Sequence, residues 1–334
     1  MTLLDDTADA PTAESPATAL AKEIVAGVDT DEAFAKMIGR LNKLSLARSY
    51  DAYTDVAWDD PDLSPTAHRG HLRLPSFDPL AHTDWYRDLS DDAKAEVGLY
   101  RLAVAMKVGW HFENVLQRGL LAFAMRLPNG APEFRYAYHE IIEESQHTLM
   151  FQEFVNRSGL PVRGMPRSAR FFFATAAMRA AQRYHCLFFI GVLGGEDPID
   201  HVQRTMLREM SETYPVHPLA ERIMRIHITE EARHISFARH ILKRDVPRLG
   251  RLRRFALSIA APIGLGRLSR LMLDVPSDMG RHCHVPPSVR RQVNRSEEAR
   301  RLRVDAVSKT RELCGELGLL NSISRRIWSA LGIA

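Results

Sequence analysis

The chain has 334 residues, of which 45% are hydrophobic and 26% are charged. This composition is that of a globular protein with a sizeable core, and it excludes a mostly disordered, collagen-like or disulfide-stapled chain. The three cysteines, widely spaced and odd in number, cannot form a disulfide framework or a Cys-x-x-Cys metal knuckle. An acidic N-terminus without a basic and then apolar stretch, and no run of eighteen apolar residues, predict a cytoplasmic protein with no transmembrane segment.

The net charge of +4 is unevenly distributed along the chain. Residues 243–303 contain 15 Lys and Arg but only five Asp and Glu. A basic region of this kind can bind nucleic acid, an anionic membrane or an acidic partner, although solvated helix faces are the commoner explanation. No zinc-finger spacing, RNP-type motif or helix-turn-helix accompanies the arginines, so we expect no nucleic-acid partner.

The N-terminal quarter of the chain shows little regular pattern. Residues 1–28 are rich in Ala, Thr, Asp and Pro without helical periodicity, and are predicted to be a disordered tail. Apolar residues at helical spacing predict a first amphipathic helix over 31–49. Residues 50–85 are dense in Pro, Asp, His and Thr, and are predicted to be irregular.

Helical pattern dominates the rest, and strand signals are almost absent, so we expect an all-α fold. We predict one domain over 29–334, with a bundle at about 90–243 and C-terminal helices at 250–334. The predicted helices are 90–127, 131–158, 168–194, 198–212 and 217–243, then an apolar stretch at 255–272 and a basic helix at about 287–318.

Two Glu-x-x-His elements carry the chemistry, Glu144 with His147 and Glu231 with His234. Residues three apart lie on one face of a helix, so each pair can direct a carboxylate and an imidazole at one metal ion. Metal-binding bundles also need one glutamate from each of two further helices, and Glu113 meets this requirement in the first half of the bundle.

The spacing of the glutamates predicts two matching hairpins. The midpoint between Glu113 and Glu144 falls in the break at 127–132, so both lie at one depth, about 24 Å from the turn of an antiparallel hairpin. The midpoint between Glu196 and Glu231 likewise falls at a proline-containing break. Two such hairpins predict a ferritin-like four-helix bundle with flanking helices and a dinuclear site at its centre.

A third imidazole extends the predicted site. His227 precedes Glu231 by four residues and His234 by seven, so all three lie on one helix face, although a hydrogen-bonded core histidine is the simpler alternative. Oxygen and nitrogen ligands without thiolate favour iron or manganese over structural zinc, and ligand type alone does not choose between the two.

Over about residues 95–245 the chain resembles the non-haem di-iron arylamine N-oxygenases, the family of p-aminobenzoate N-oxygenase. The likeness rests on Glu144-Ser-x-His-Thr-x-Met, on His227-x-x-x-Glu231-x-x-His234 and on the two single glutamates. The resemblance implies two iron ions, one held by Glu113, Glu144 and His147, the other by Glu196, His227, Glu231 and His234.

The resemblance also implies an activity. Members of this family use O₂ to convert an aromatic amine to the nitro compound through hydroxylamine and nitroso stages, and they include enzymes of antibiotic biosynthesis. The sequence lacks a dinucleotide-binding Gly-x-Gly-x-x-Gly and a Cys cluster, so we expect electrons from a separate reductase or ferredoxin. The identity of the amine and the oligomeric state stay open, a homodimer included.

Among these residues, Glu196 lies in the segment that is least favourable for a helix. It lies in the segment Gly194–Pro198, where two glycines and a proline are expected to bend or break the helix. Asp197 or Asp200 is therefore an alternative ligand.

Two other functions use the same bundle. A di-iron hydroxylase or desaturase acting on a lipid or carrier-bound substrate would use the apolar stretch 255–272 as a docking surface. Iron storage is disfavoured, because about half of the chain lies outside the bundle that storage requires.

Overall fold

The computed structural model describes residues 16–211 and 215–334, with side chains from residue 31 onward. These residues form thirteen α-helices and no strand, which confirms the all-α prediction. Helix α1 spans Pro16–Ala47, so residues 16–28 are helical where the sequence predicted a tail, and residues 1–15 lie outside the described residues. Alanine-rich sequence has high helix propensity without apolar periodicity, and proline is favoured at the first helical position.

The segment that follows α1 is largely irregular, as predicted. It contains three short 3₁₀ turns and the one-turn helix α2 (Asp84–Arg87).

Four long helices form the bundle, in two antiparallel hairpins. The Ser90 hydroxyl accepts a hydrogen bond from the backbone of Ala93 and so caps the first of them, and Gly159 ends the second with a φ of 65°. Helix α1 packs against the second and fourth bundle helices, and α5 (Arg167–Arg183) packs against the first and third. The bundle helices are α3 (Asp91–Ala124), α4 (Pro132–Ser158), α6 (His185–Glu209) and α7 (Pro218–Asp245).

The helix predicted over 168–194 is in fact two helices. Tyr184 has a φ of −142° and a ψ of 55°, which ends α5 and lets α6 begin in a new direction. His185 then contacts Asp245 on α7, with its Nε2 atom 2.7 Å from the carboxylate. Periodicity could not show this junction, because both helices have apolar faces that continue the same spacing.

The break predicted at Gly194–Pro198 is absent, because α6 continues through it. A Cβ atom on Gly195 would lie 1.7 Å from Cζ of Phe112, so the missing side chain makes room for α3. On the other side, a Cβ on Gly194 would lie 2.7 Å from Leu265. The segment is buried between neighbouring helices, and this packing outweighs the poor helix propensity of its residues.

The basic helix predicted over 287–318 consists of three helices. Ser296 accepts a hydrogen bond from the backbone of Ala299 and caps the second, and Val307 separates the second from the third. The C-terminal helices are α8 (Arg251–Leu273), α9 (Met279–His282), α10 (Pro287–Arg295), α11 (Glu297–Ala306), α12 (Ser308–Glu316) and α13 (Ser322–Ala330).

Helix α8 is the one helix among the described residues that is long and apolar enough to cross a membrane. Length and composition alone give this result, and a buried core helix meets the same criterion. In this fold α8 packs against α6 and α13, and 44% of its most apolar segment is buried.

Candidate metal centre

The four bundle helices bring all seven predicted site residues together at the centre of the bundle. Every one of these side chains is fully buried. Their ligand atoms lie within 4.8 Å of one another in four overlapping groups. The groups are Glu113, His147 and His227; Glu144, Glu231 and His234; Glu196, His227 and Glu231; and Glu113, Glu144 and Glu196.

His227 is held in one tautomer by a neighbour on α6. Its Nδ1 atom lies 3.1 Å from Oε1 of Gln203, an amide oxygen that can only accept, so Nδ1 carries the hydrogen. The bare Nε2 atom faces Glu113 Oε1 at 3.4 Å and Glu231 Oε1 at 3.7 Å. Burial lowers the pKa of His227 to about 4, so the imidazole is neutral, which is the form that binds a metal.

The other two imidazoles turn their Nδ1 atoms to the centre. His147 Nδ1 lies 3.2 Å from Glu144 Oε2 and 3.2 Å from Glu231 Oε1. His234 Nδ1 lies 3.0 Å from Glu144 Oε1 and 3.1 Å from Glu231 Oε1. Each of the two glutamates of the Glu-x-x-His elements therefore contacts both histidines.

The outward Nε2 atoms of these histidines each meet a second glutamate from the opposite hairpin. His147 Nε2 lies 2.9 Å from Glu230 Oε2, and His234 Nε2 lies 2.7 Å from Glu143 Oε2. Arg233 joins the two acids, with its Nη2 atom 2.9 Å from Glu143 and 3.4 Å from Glu230. Such carboxylates fix the tautomer and orientation of a metal-binding histidine.

Sequence reasoning missed these acids, although a signal was present. Each Glu-x-x-His element is preceded by one more glutamate, which makes the doublets Glu143-Glu144 and Glu230-Glu231. In a helix the first glutamate of a doublet points about 100° away from the second. It therefore contacts the neighbouring hairpin and not the centre of its own site, which the spacing within one helix does not show.

The single glutamates and the glutamates of the Glu-x-x-His elements differ in the direction of their pKa shifts. Burial and the nearby Glu144 raise the pKa of Glu113 well above its usual value, and burial and Glu231 do the same for Glu196. Glu144 behaves differently, because contacts with His147 and His234 outweigh burial and lower its pKa to about 2.

Several carboxylate oxygens in the centre have no hydrogen-bond donor. These atoms are Oε2 of Glu113, both oxygens of Glu196 and Oε2 of Glu231. A buried polar atom without a partner costs free energy, so a closely spaced set of them indicates that something else satisfies them. Oxygen and imidazole donors converging on one point fit two iron or manganese ions.

The alternative ligands of α6 lie elsewhere. Asp197 accepts a hydrogen bond from Arg239, at 2.9 Å, and Asp200 accepts one from Arg204, at 2.6 Å. Only Glu196 of these three acids joins the central groups. In the helical α6, Asp197 lies about 100° around the axis from Glu196, and Asp200 lies on the same face but one turn, about 6 Å, further along. The structure therefore favours Glu196 over Asp197 and Asp200.

Phe151 covers two of the imidazoles. Its ring centroid lies 5.2 Å from that of His227 and 6.4 Å from that of His147. Phe151 is itself 2% exposed, so it separates this side of the centre from solvent.

Comparisons with known proteins show the family of the chain. The family model described as P-aminobenzoate N-oxygenase AurF matches residues 31–318. "Uncharacterized protein Rv0885" of Mycobacterium tuberculosis (strain ATCC 25618 / H37Rv) is 39% identical over 302 residues, which cover 90% of this chain and 88% of the relative. "Uncharacterized protein Mb0909" of Mycobacterium bovis gives the same identity and coverage. No solved structure matches the chain.

Proposed function

Because the chain belongs to the P-aminobenzoate N-oxygenase AurF family, we propose that it is a di-iron oxygenase that converts an aromatic amine to the nitro compound through hydroxylamine and nitroso stages. The observation that carries the proposal is the set of four carboxylates and three imidazoles, all fully buried at one point of the bundle. Imidazole and carboxylate donors without thiolate suit iron in a site that reacts with O₂.

We assign the seven residues to two irons as the family resemblance implies. One iron would be held by Glu113, Glu144 and His147. The other would be held by Glu196, His227, Glu231 and His234.

The irons, when bound, supply the reduction of O₂ that oxidises the amine nitrogen. The protein orients the metal-binding histidines and keeps water away from the centre. Glu143 and Glu230 orient His234 and His147, Gln203 holds His227 neutral, and Phe151 excludes water. Exclusion of water keeps a reactive oxidant from being consumed before it meets the substrate.

We also propose that electrons come from a separate reductase or ferredoxin, that the enzyme works in the cytoplasm, and that its product enters antibiotic or related biosynthesis. Each follows from the family resemblance and from the composition of the chain.

The test is direct turnover. Purified protein loaded with iron is incubated with a chemical reductant, O₂ and a panel of aryl amines, and the products are identified by mass spectrometry. We expect about two irons per chain and the appearance of hydroxylamine, nitroso and nitro products.

A double variant, Glu144→Ala with Glu231→Ala, serves as the control and should form none of these products. Protein that binds two irons and consumes O₂ but oxidises carbon in every substrate offered would contradict the proposal, and would favour the hydroxylase or desaturase function.

A further inference from the structure

A large cleft lies at one end of the bundle, beyond the metal centre. Its volume is about 1240 Å³, whereas pockets for small ligands commonly measure roughly 300–1,000 Å³. Its walls come from the irregular segment 70–82, from α3, α6 and α7, and from α8 to α10. A single aromatic ring would fill only a small part of this space.

The floor of the cleft is apolar and faces the metal centre. Val108 of α3 lies five residues before Glu113, and Val202 of α6 lies six residues after Glu196. At 1.5 Å per residue these positions are about 7.5 Å and about 9 Å from the proposed ligands along the helix axes. On α7, Ala220 completes the floor. The inner end of the cleft is therefore one to two helical turns from the centre.

The rim of the cleft carries cations that have no partner. Among the described residues, no ion pair or side-chain hydrogen bond involves any of these four side chains, which are half-buried or exposed. They come from four separate segments of the chain, so the fold and not local sequence brings them to one cleft. They are Lys94 of α3, Arg163 between α4 and α5, Arg281 of α9 and Arg290 of α10.

The acidic residues of the cleft do not neutralise this charge. Asp78 is paired with Arg101 at 3.0 Å, and Asp274 is paired with Arg303 at 2.6 Å. Two other lining acids, Glu209 and Asp278, have no cationic partner. The unpaired side chains of the cleft thus carry an excess of positive charge.

We propose that this cleft binds an elongated substrate with an apolar body and an anionic end. The body lies on the floor formed by α3, α6 and α7, and the anionic end lies among the cations of the rim. The oxidised group then lies at the inner end, towards the irons. This assignment of a substrate class rests on the proposed function, whereas the binding of such a molecule can be measured without it.

Arginine is suited to the role given to it here. Its guanidinium group stays charged and makes paired hydrogen bonds to carboxylate, sulfonate or phosphate oxygens. An arginine of the rim can therefore hold an anionic group, and an uncharged molecule of the same shape would lose this contact.

The binding experiment uses two fluorescent probes of the same shape. 8-Anilinonaphthalene-1-sulfonate and N-phenyl-1-naphthylamine differ only in the sulfonate group, and both become fluorescent in apolar surroundings. Titration of the full-length protein requires no O₂ or reductant. We expect the sulfonate probe to bind more tightly, with an affinity that falls as salt is added.

Substitutions in the cleft show where the two probes bind. Arg281→Ala and Arg290→Ala should each weaken binding of the sulfonate probe by roughly tenfold and leave the uncharged probe unchanged. Arg291→Ala is the matched control, since Arg291 is the exposed neighbour of Arg290 outside the cleft. Ala105→Trp, which fills the cleft from an exposed helical position, should weaken both probes.

Three results would overturn the inference. The first is equal affinity of wild-type protein for the two probes. The second is equal weakening by the Arg290 and Arg291 variants, which would indicate general surface charge. The third is unchanged binding of both probes to the Ala105→Trp variant, which would place them elsewhere.

A turnover experiment separates this inference from the proposed function. We expect 4-(4-aminophenyl)butanoate to have a higher kcat/KM than 4-butylaniline, and Arg281→Ala to raise KM for the first amine only. Oxidation of neither amine, with the probe results intact, would reject the proposed function and retain the cleft. Equal oxidation of both by every variant would reject the role of the cleft in substrate binding and retain the oxygenase.

Discussion

The hairpin α3–α4 and the hairpin α6–α7 place the same pattern at the same depth of the bundle, but their surroundings differ. Each contributes a lone glutamate and a Glu-Glu-x-x-His element, and each orients a histidine of the other. Only the second hairpin adds a third imidazole, His227, which is neutral and held by Gln203. Two halves with a common pattern can therefore build one site to which they contribute unequal sets of side chains.

The hairpins also differ in how their first helix packs. In α3 the lone glutamate follows Phe112, whereas in α6 the lone glutamate follows Gly195, and the ring of Phe112 occupies the space above that glycine. One half supplies the bulky side chain and the other supplies the gap. The asymmetry of packing thus brings Glu113 and Glu196 close together.

The largest expected effect comes from removing the shared carboxylates. Glu144→Ala and Glu231→Ala should each lower the iron content to one ion or less per chain and abolish amine oxidation, because each carboxylate contacts at least two imidazoles. Helicity should stay close to that of the wild type, since the apolar faces hold the bundle together. Metal analysis and circular dichroism measure both quantities.

Glu221→Ala provides the control for these two variants, because Glu221 lies on α7 and pairs only with the exposed Arg225. If either Glu144→Ala or Glu231→Ala kept two irons and normal turnover, the corresponding hairpin would not supply a ligand.

Substitution of His227, the imidazole that only the second hairpin contributes, should have the next largest effect. His227→Ala should retain much of the iron and the fold, yet change the absorption spectrum of the iron-loaded protein and reduce amine oxidation sharply. His227→Gln should not restore activity, because an amide is a poorer iron ligand than imidazole. Unchanged spectra and turnover in both variants would make His227 a packing residue and the two halves equivalent.

Substitution of Glu143 or Glu230, each of which contacts a histidine of the other hairpin, should have smaller effects, equal in the two cases. Glu143→Gln and Glu230→Gln each leave a side chain of the same size but weaken the hydrogen bond to a histidine of the other hairpin, so metal affinity should fall roughly 10- to 100-fold. Competition with a chelator measures the affinity, and Glu153→Gln is the control, since Glu153 is a half-buried residue of α4 that pairs with Arg157. A loss in only one of the two variants would show that the hairpins do not support each other equally.

The smallest effect concerns stability. Gly195→Ala should lower the free energy of unfolding by about 1–3 kcal/mol, because the added Cβ meets the ring of Phe112. Gly191→Ala, one turn earlier in the same helix with nothing within 4 Å of the added atom, should raise it by about 0.5–1 kcal/mol. Chemical denaturation compares the two, and equal changes would mean that α3 and α6 do not pack closely at Gly195.

The sequence by itself determined the fold class, the two hairpins and the residues that meet at their centre. Helical periodicity is a local property, so a Glu-x-x-His element, or a histidine four residues earlier, has its face fixed by 3.6 residues per turn. Equal depth across a hairpin depends only on counting from the turn. These features required no knowledge of the neighbouring helices.

Only the tertiary structure decided the rest. The continuity of α6 through Gly194–Pro198, the helix junction at Tyr184 and the crosswise pairing of Glu143 with His234 depend on which helix lies opposite. Gly195 has a poor helix propensity, yet it lies within α6. The absence of a side chain there leaves the space that the ring of Phe112 occupies. Contacts between residues distant in the chain outweigh local preferences of about 1 kcal/mol per residue, and spacing along one segment carries no record of them.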